Sequence, residues 1–444
     1  MPTDDGLQKA RKFKGMLIAG AREVSLSFDA HISDAGEIVL ELEQISLTRE
    51  TTFIVETWHS PDDLIVYFSL RGASVDDVTF ETERLHFSSI GPHSDAERGS
   101  YFVFAARCSD GTFRRQASDA LNTPILHIST RGFQSFPELR SSCELGDLVM
   151  GGDIKNEVPD KISGFIHLRA TVRPTNVIEW RAHGERLLDH LRRVMSFAAG
   201  TNITDPVLTY RFDTDIEVNI KARGSQYLGH IPTFHPLDRQ KIFDAAVRSF
   251  RNPPYPTENL WMALEWFSMN ASYNEVRLIN TMTALENLVS SNTRDVAQLM
   301  NDETFARFKT ALSARIEQFI REEGLNGAFP KRPNELEQKL VELQRRSLRR
   351  KLDVLLARWS VPMDGITKSM IRGAFNARND IVHEGRYYTE GKQLPDLWQH
   401  VCVAREIVAR LVFRALGFEG RYLSQLGGYH DATFPPQRSP PDSG

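Results

Sequence analysis

The hydrophobic period of this 444-residue chain changes once, and that change limits what the chain can fold into. From Val24, apolar and polar residues alternate. Val24, Leu26, Phe28, Ala30 and Ile32 share one face, Ser33-Asp-Ala-Gly36 reads as a turn, and Ile38, Leu40 and Leu42 resume the pattern. A period of two marks a strand with one buried face. More short strand-like runs follow at 53–55, 64–70, 78–80, 101–106, 125–129, 165–172 and 207–221, separated by Gly, Asp and Ser. From Leu237 onward the period is helical. The spacing predicts helices over 237–251, 257–269, 273–291, 303–323, 334–359 (one helix or two), 364–384 and 396–416, with a loop at 324–333.

The predicted fold class is therefore α+β. A β-rich, sandwich-like domain of antiparallel sheets spans 1–232, residues 222–236 form a Gly-, Pro- and His-containing connector, and an all-helical bundle spans 237–425. The tail, 433–444, is rich in Pro and Ser and is expected to be disordered. One helix interrupts the strands at 178–199. Trp180, Leu187, Leu188, Leu191 and Met195 share its apolar side, and Arg181, Arg186, Arg192 and Arg193 its basic one. The basic side reads as a solvated face. The front-half histidines (His31, His59, His86, His93, His127 and His167) are isolated in sequence, and no catalytic constellation is visible among them.

Charge and cysteine content narrow the function. The formal net charge of −4 gives no global nucleic-acid signature, so any RNA contact must be a local patch. Three scattered cysteines (Cys108, Cys143 and Cys402) argue against a disulfide framework and for a reducing compartment. No Cys/His group has zinc-site spacing, and neither metal nor cofactor is expected. No apolar run approaches the roughly 20 residues of a membrane helix. Lys12 and Lys14 precede a short apolar run over 15–21 that imitates a signal peptide, but a first strand and a cytoplasmic protein are the reading adopted.

The chemistry-bearing stretch is Gly373-Ala-Phe-Asn-Ala-Arg-Asn-Asp-Ile-Val-His-Glu-Gly-Arg386, at the end of a predicted helix. Arg378 can hold a phosphate bidentately and stays charged, while His383 can exchange a proton near neutral pH. Gly385 is a natural C-terminal cap, so His383 lies at the negative end of the helix dipole, with Asp380 and Glu384 close by. These features favour an imidazolium, a proton donor to a leaving oxygen. The two groups stand roughly 140° apart around the helix, so either Arg378 reaches round or a second copy completes the site. An Arg and a His near a helix end are also the ordinary makeup of a solvated terminus.

Arg378-Asn379-Asp380-Ile381-Val382-His383, late in a helical domain, resembles the Arg-x4–6-His motif of HEPN-type nucleases, whose second residue is often polar, as Asn379 is. The β-rich front half followed by this domain resembles the ApeA-like anti-phage proteins, loosely over the front half. The resemblance implies a metal-independent endoribonuclease acting on RNA such as tRNA. Arg378, His383 and Asn379 would form the catalytic set, with Asn379 orienting His383 or the phosphate, and Glu286 and Asp380 supporting it. The protein would be a homodimer or higher homo-oligomer with one composite cleft, and its N-terminal domain would sense a phage-derived activator. Ala284-Leu285-Glu286 is similar to a segment of an early HEPN core helix.

Two further sets complete the candidates. Glu286 is placed by periodicity toward the core of the 273–291 helix, beside the apolar stripe of Val276, Ile279, Met282, Leu285 and Val289, and Arg378 is its natural partner. Solvent exposure of Glu286 is the open alternative. Arg345, Arg346, Arg349 and Arg350, with Lys351, Arg358 and Trp359, form the densest positive run. They can guide an RNA backbone or form a solvated helix face paired with acids. A non-catalytic helical dimerisation or ligand-binding scaffold is the competing function, in which Arg378 and His383 are structural. A third reading makes the front half a sugar- or phage-protein-binding module.

Overall fold

The computed structural model describes residues 7–46, 48–58, 66–96, 99–132, 138–152, 160–221, 231–255, 257–269, 271–323, 339–387 and 396–436. The chain divides into two compact units. One is Met1–Arg251 with Asn270–Ser272, and the other is Asn252–Met269 with Tyr273–Gly444. The architecture is α+β, with a strand-rich first unit and a helix-rich second.

The first unit holds β1 (Arg11–Ala19), β2 (Arg22–Ile32), β3 (Ile38–Leu42), β4 (Ile45–Ser46), β5 (Phe68–Ser74), β6 (Thr79–Asp95), β7 (Gly99–Cys108), β8 (Asp110–Arg131), β9 (Leu139–Cys143), β10 (Gly146–Gly152), β11 (Ile162–Arg169) and β12 (Thr204–Lys221). All twelve belong to one hydrogen-bonded sheet in the order β3-β2-β1-β5-β6-β8-β11-β10-β9; β12 also pairs β8, and β7 joins β6 to β4. The separate sheets of a sandwich are thus replaced by one continuous antiparallel sheet. The cause is the length of β8. Its start pairs β6 through Thr112 and Glu81, and its end pairs β11 from Ile125 to Arg131. The β8–β12 register shifts between Arg211 and Asp215, where a ladder of this length bends.

Strand alternation builds the core at the β1–β6 end, where Phe13 and Phe28 stack at 5.2 Å and Phe80 and Phe113 lie 4.7 Å apart. At the β8–β11 end, α2 (Val177–Ala199) packs on β8 and β11. The contact is closest at Gly184, where a Cβ would lie 2.5 Å from Cδ1 of Leu126. The helix predicted over 237–251 forms as α3 (Arg239–Ser249), which packs on α2 and β9 within the first unit. Its Gln240 amide donates to the Arg140 carbonyl (2.8 Å) and accepts from the Arg140 N–H (3.2 Å), so a side chain does for the edge of β9 what another strand would do.

Several expectations change here. Residues 53–55, read as a strand, belong to a short helix, α1 (Phe53–Trp58). The hydroxyl of Thr51 bonds the Ser46 carbonyl, and the N–H groups of Ile54 and Val55 turn back onto Thr51 and Thr52, so local turn bonds override β-branched propensity. The basic side of α2 is not simply solvated. Arg192 is 2% exposed, with Asp189 and Asp205 beside it and the Ile203 carbonyl as acceptor, and Arg181 lies between Glu185 and Glu217. His127 and His167 are not isolated either. They face each other across β8 and β11 with ring centroids 5.9 Å apart. His59, residues 64–65, the 222–230 part of the connector, the 324–333 loop and residues 334–338 lie outside the described residues.

The second unit contains α4 (Leu260–Ser268), α5 (Asn274–Asn292), α6 (Asp302–Glu322), α7 (Leu348–Arg358), α8 (Lys368–Glu384) and α9 (Leu397–Leu416), then a hairpin of β13 (Gly420–Ser424) and β14 (His430–Phe434). α9 is buried on nearly every side, against α4, α5 and α8. Its Glu406 carboxylate pairs with Arg410 at 2.9 Å and accepts from the hydroxyls of Tyr422 (2.5 Å) and Ser424 (2.9 Å) on β13. The hairpin was not predicted, because its five-residue strands carry too little alternation to stand out. β14 takes residues 433 and 434 of the predicted tail, and residues 437–444 lie outside the described residues. No helix among the described residues is long and apolar enough to cross a membrane.

Candidate functional site

The candidate site is built on α8. Thr367 caps its start, its hydroxyl oxygen accepting from the Met370 N–H at 3.2 Å. Gly385 closes its end at φ 72°, where a side chain would be strained, and returns its N–H to the Ile381 carbonyl at 3.0 Å. Ile371, Ala374 and Ala377 form the buried face, and α8 packs on α5 and α9.

Arg378 is held at the border of that face. Its Nη2 lies 3.8 Å from Oε2 of Glu286 on α5, and its Nη1 donates to Oδ1 of Asn379 at 3.2 Å. Its side chain is 33% exposed and that of Glu286 53%, so Glu286 does not point into the core as periodicity predicted. Leu278, Met282, Leu285 and Val289 fill the core side of α5. Glu286 sits at the rim, where its charge stays hydrated while reaching Arg378. Val276, predicted in the apolar stripe, is 46% exposed, and the Ser272–Glu275 capping box is replaced by Tyr273 at the N-cap without a side-chain bond.

His383 lies on the exposed ridge of α8, opposite the buried face, and no hydrogen bond or ion pair reaches it among the described residues. Asp380 is half-buried on the adjoining flank. The helix geometry keeps Arg378 and His383 roughly 140° apart, so the guanidinium is directed toward α5 and the imidazole toward solvent. The arrangement offers a restrained cation, a free imidazole and, between them, Asn379, whose side chain touches the Arg.

Two residues near this helix end were missed. His400, on the first turn of α9, lies over Gly373, where a Cβ would be 2.7 Å from its Cε1. Its ring meets Tyr387 edge-on at 5.9 Å. Burial lowers the His400 pKa, against the opposing pull of Asp396. Burial first, then Asp380 and Asp396, raises that of Tyr387. Nothing in the spacing of Gly373, Tyr387 and His400 marks them; only the docking of α8 on α9 brings them together.

The arginine run does not lie on one helix. The chain turns at 343–344, Arg345 forms a β-bridge with Gln298, and Ser347 caps α7, accepting from the Arg350 N–H at 3.4 Å. Arg346 donates to the Gln298 carbonyl, Lys351 to Ser290, and Arg358 to the Asn292 carbonyl and Asp295. Arg350 stands 3.8 Å from Asp353, Arg349 is half-buried, and Trp359 is buried against Tyr255. Part of this charge is therefore spent inside the protein, and Trp359 offers no open stacking face. No group of three or more His, Cys, Asp or Glu suited to a metal ion occurs among the described residues. No protein-family model matches the chain, and no curated protein or solved structure matches it.

Proposed function

We propose that the chain is an endoribonuclease of the HEPN type that needs no metal ion, with α8 as its catalytic helix. The observation that carries this reading is Arg378, restrained by Glu286 and Asn379 on the same helix as an exposed His383 that has no partner among the described residues. In the reaction the RNA 2′-hydroxyl attacks the adjacent phosphorus. The P–O5′ bond breaks, leaving a 2′,3′-cyclic phosphate and a 5′-hydroxyl. Arg378 stabilises the charge developing on the phosphoryl oxygens, and His383 exchanges the proton at the attacking or leaving oxygen. Asn379 orients Arg378. Because the two groups diverge on one helix, two subunits place their α8 helices face to face, and each Arg378 serves the partner's His383. The biological setting is anti-phage defence in the cytoplasm, with host or phage RNA such as tRNA as substrate. The strand-rich unit silences the nuclease until a phage component arrives.

The test is cleavage of total cellular RNA in EDTA by the full chain, Arg378→Ala and His383→Ala. Cleavage lost in both variants, with cyclic-phosphate ends and an intact dimer, is the expected result. The second reading, a binding scaffold, is favoured by one fact: Glu286 already partly neutralises Arg378. It predicts that Arg378→Ala weakens the fold or the dimer and that no variant alters RNA.

A further inference from the structure

The expected RNA-binding cations, Arg345 to Arg350, are dispersed, yet α8 carries an alternative set. Lys368, Arg372, Asn376, Asn379 and His383 recur at three- and four-residue intervals, and all are exposed. On the helical wheel they fall within roughly 60° of the His383 direction, opposite Ile371, Ala374 and Ala377. They therefore line one ridge, roughly 22 Å long at 1.5 Å per residue. Arg386, also exposed, follows the Gly385 cap and extends the basic character beyond the helix. Among the described residues, no hydrogen bond or ion pair forms to the side chains of Lys368, Arg372 or Arg386. By contrast, Arg346, Lys351 and Arg358 are engaged within the fold.

We infer that this ridge is a track for the phosphodiester backbone of a single RNA strand, which delivers a phosphate to His383; the inference rests on the nuclease reading of the same helix. Cations supply the non-specific, salt-sensitive attraction to phosphates, and the interleaved asparagine amides donate to phosphate or sugar oxygens without demanding a base sequence. Asp380 and Glu384 lie on one flank only, roughly 60–100° from His383, and repel a strand that strays to that side. An acidic protein surface would match the cations and the amide donors as well, but it holds no phosphodiester on which Arg378 and His383 could act.

The experiment uses the full chain and a short 2′-O-methyl RNA, which binds but cannot be cut by 2′-hydroxyl attack. Affinity is measured across a salt series for wild type, Lys368→Gln, Arg372→Gln, the double variant and, as a control, Arg345→Gln with Arg350→Gln. Each ridge substitution is expected to weaken binding several-fold and to flatten the log–log salt slope by about 0.7 per charge removed, with melting unchanged. The control should leave the slope unaltered. No RNA binding by wild type, or a slope that responds only to the control pair, overturns the track. Loss of the dimer in the ridge variants also overturns it, because the ridge would then hold the two α8 helices together instead of lining an open cleft between them. Cleavage of natural RNA in EDTA is scored separately. Ridge-dependent binding without cleavage keeps the track and removes the nuclease, whereas cleavage with ridge-independent binding does the reverse.

Discussion

Glu286 shows how one residue can separate two roles for the same pair. An ion pair this exposed is worth under about 1 kcal/mol, because solvent screens it. Glu286→Gln should therefore leave the melting temperature almost unchanged. If the pair positions Arg378, the same change should slow RNA cleavage at saturating substrate. Unchanged cleavage together with a large drop in melting temperature would assign the pair to the fold instead. Two half-buried histidines give a second residue-scale prediction. Burial pushes His127 and His190 down to about 4, from an ordinary value near 6.5. The unfolded chain then binds more protons than the folded one between those values, so stability should rise with pH across that window and flatten above it. Thermal melts from pH 4 to 7 check this. His190→Phe, beside the Phe250 ring, should remove part of the slope, and an unaltered slope would exclude His190 as a source. The sequence leaves His127 open between a surface and a satisfied core position, because a lone His in a polar–apolar alternation fits either, and it does not single out His190, on α2.

At the scale of elements, legibility followed period and length. α2, α5, α8 and α9 are long and strongly periodic, and the sequence places each within a few residues, Gly385 and Gly417 marking two of the ends through left-handed caps. Short or interrupted pieces were opaque. α1 is fixed by threonine turn bonds, the 334–359 prediction breaks where residues 345–346 join 297–298, and β13 of the hairpin is tied to α9 by the buried Glu406 carboxylate. That carboxylate makes the hairpin testable. Tyr422→Phe removes a hydroxyl donor from Glu406 within a buried cluster and should cost about 2 kcal/mol of stability. Denaturant unfolding should show a lower midpoint at constant m. A change below the experimental error would mean that Ser424 and Arg410 satisfy Glu406 unaided. Gly184→Leu tests the α2 packing in the same way. A side chain forced into the Leu126–Leu168 contact should destabilise by about 1–3 kcal/mol.

At the scale of the whole molecule, the change of hydrophobic period is enough to read an α+β chain, because burial on one sheet face and burial along a helix stripe leave different spacings. It does not locate the division between the compact units. α3 has a helical period like the helices after it, yet it packs on α2 and β9, and residues 270–272 also group with the first unit. A truncation that starts at 237 thus carries α3 away from its packing partners and exposes Ile242, Phe243 and Val247, which are buried in the native chain. The regulatory prediction is better tested with residues 252–444, which keep α4 beside α5. If the strand-rich unit silences the nuclease, this fragment should be more toxic in cells than the full chain, and His383→Ala should abolish the excess. A soluble, folded fragment that is harmless while the full chain is toxic would reverse the relation and make the strand-rich unit part of the active machinery.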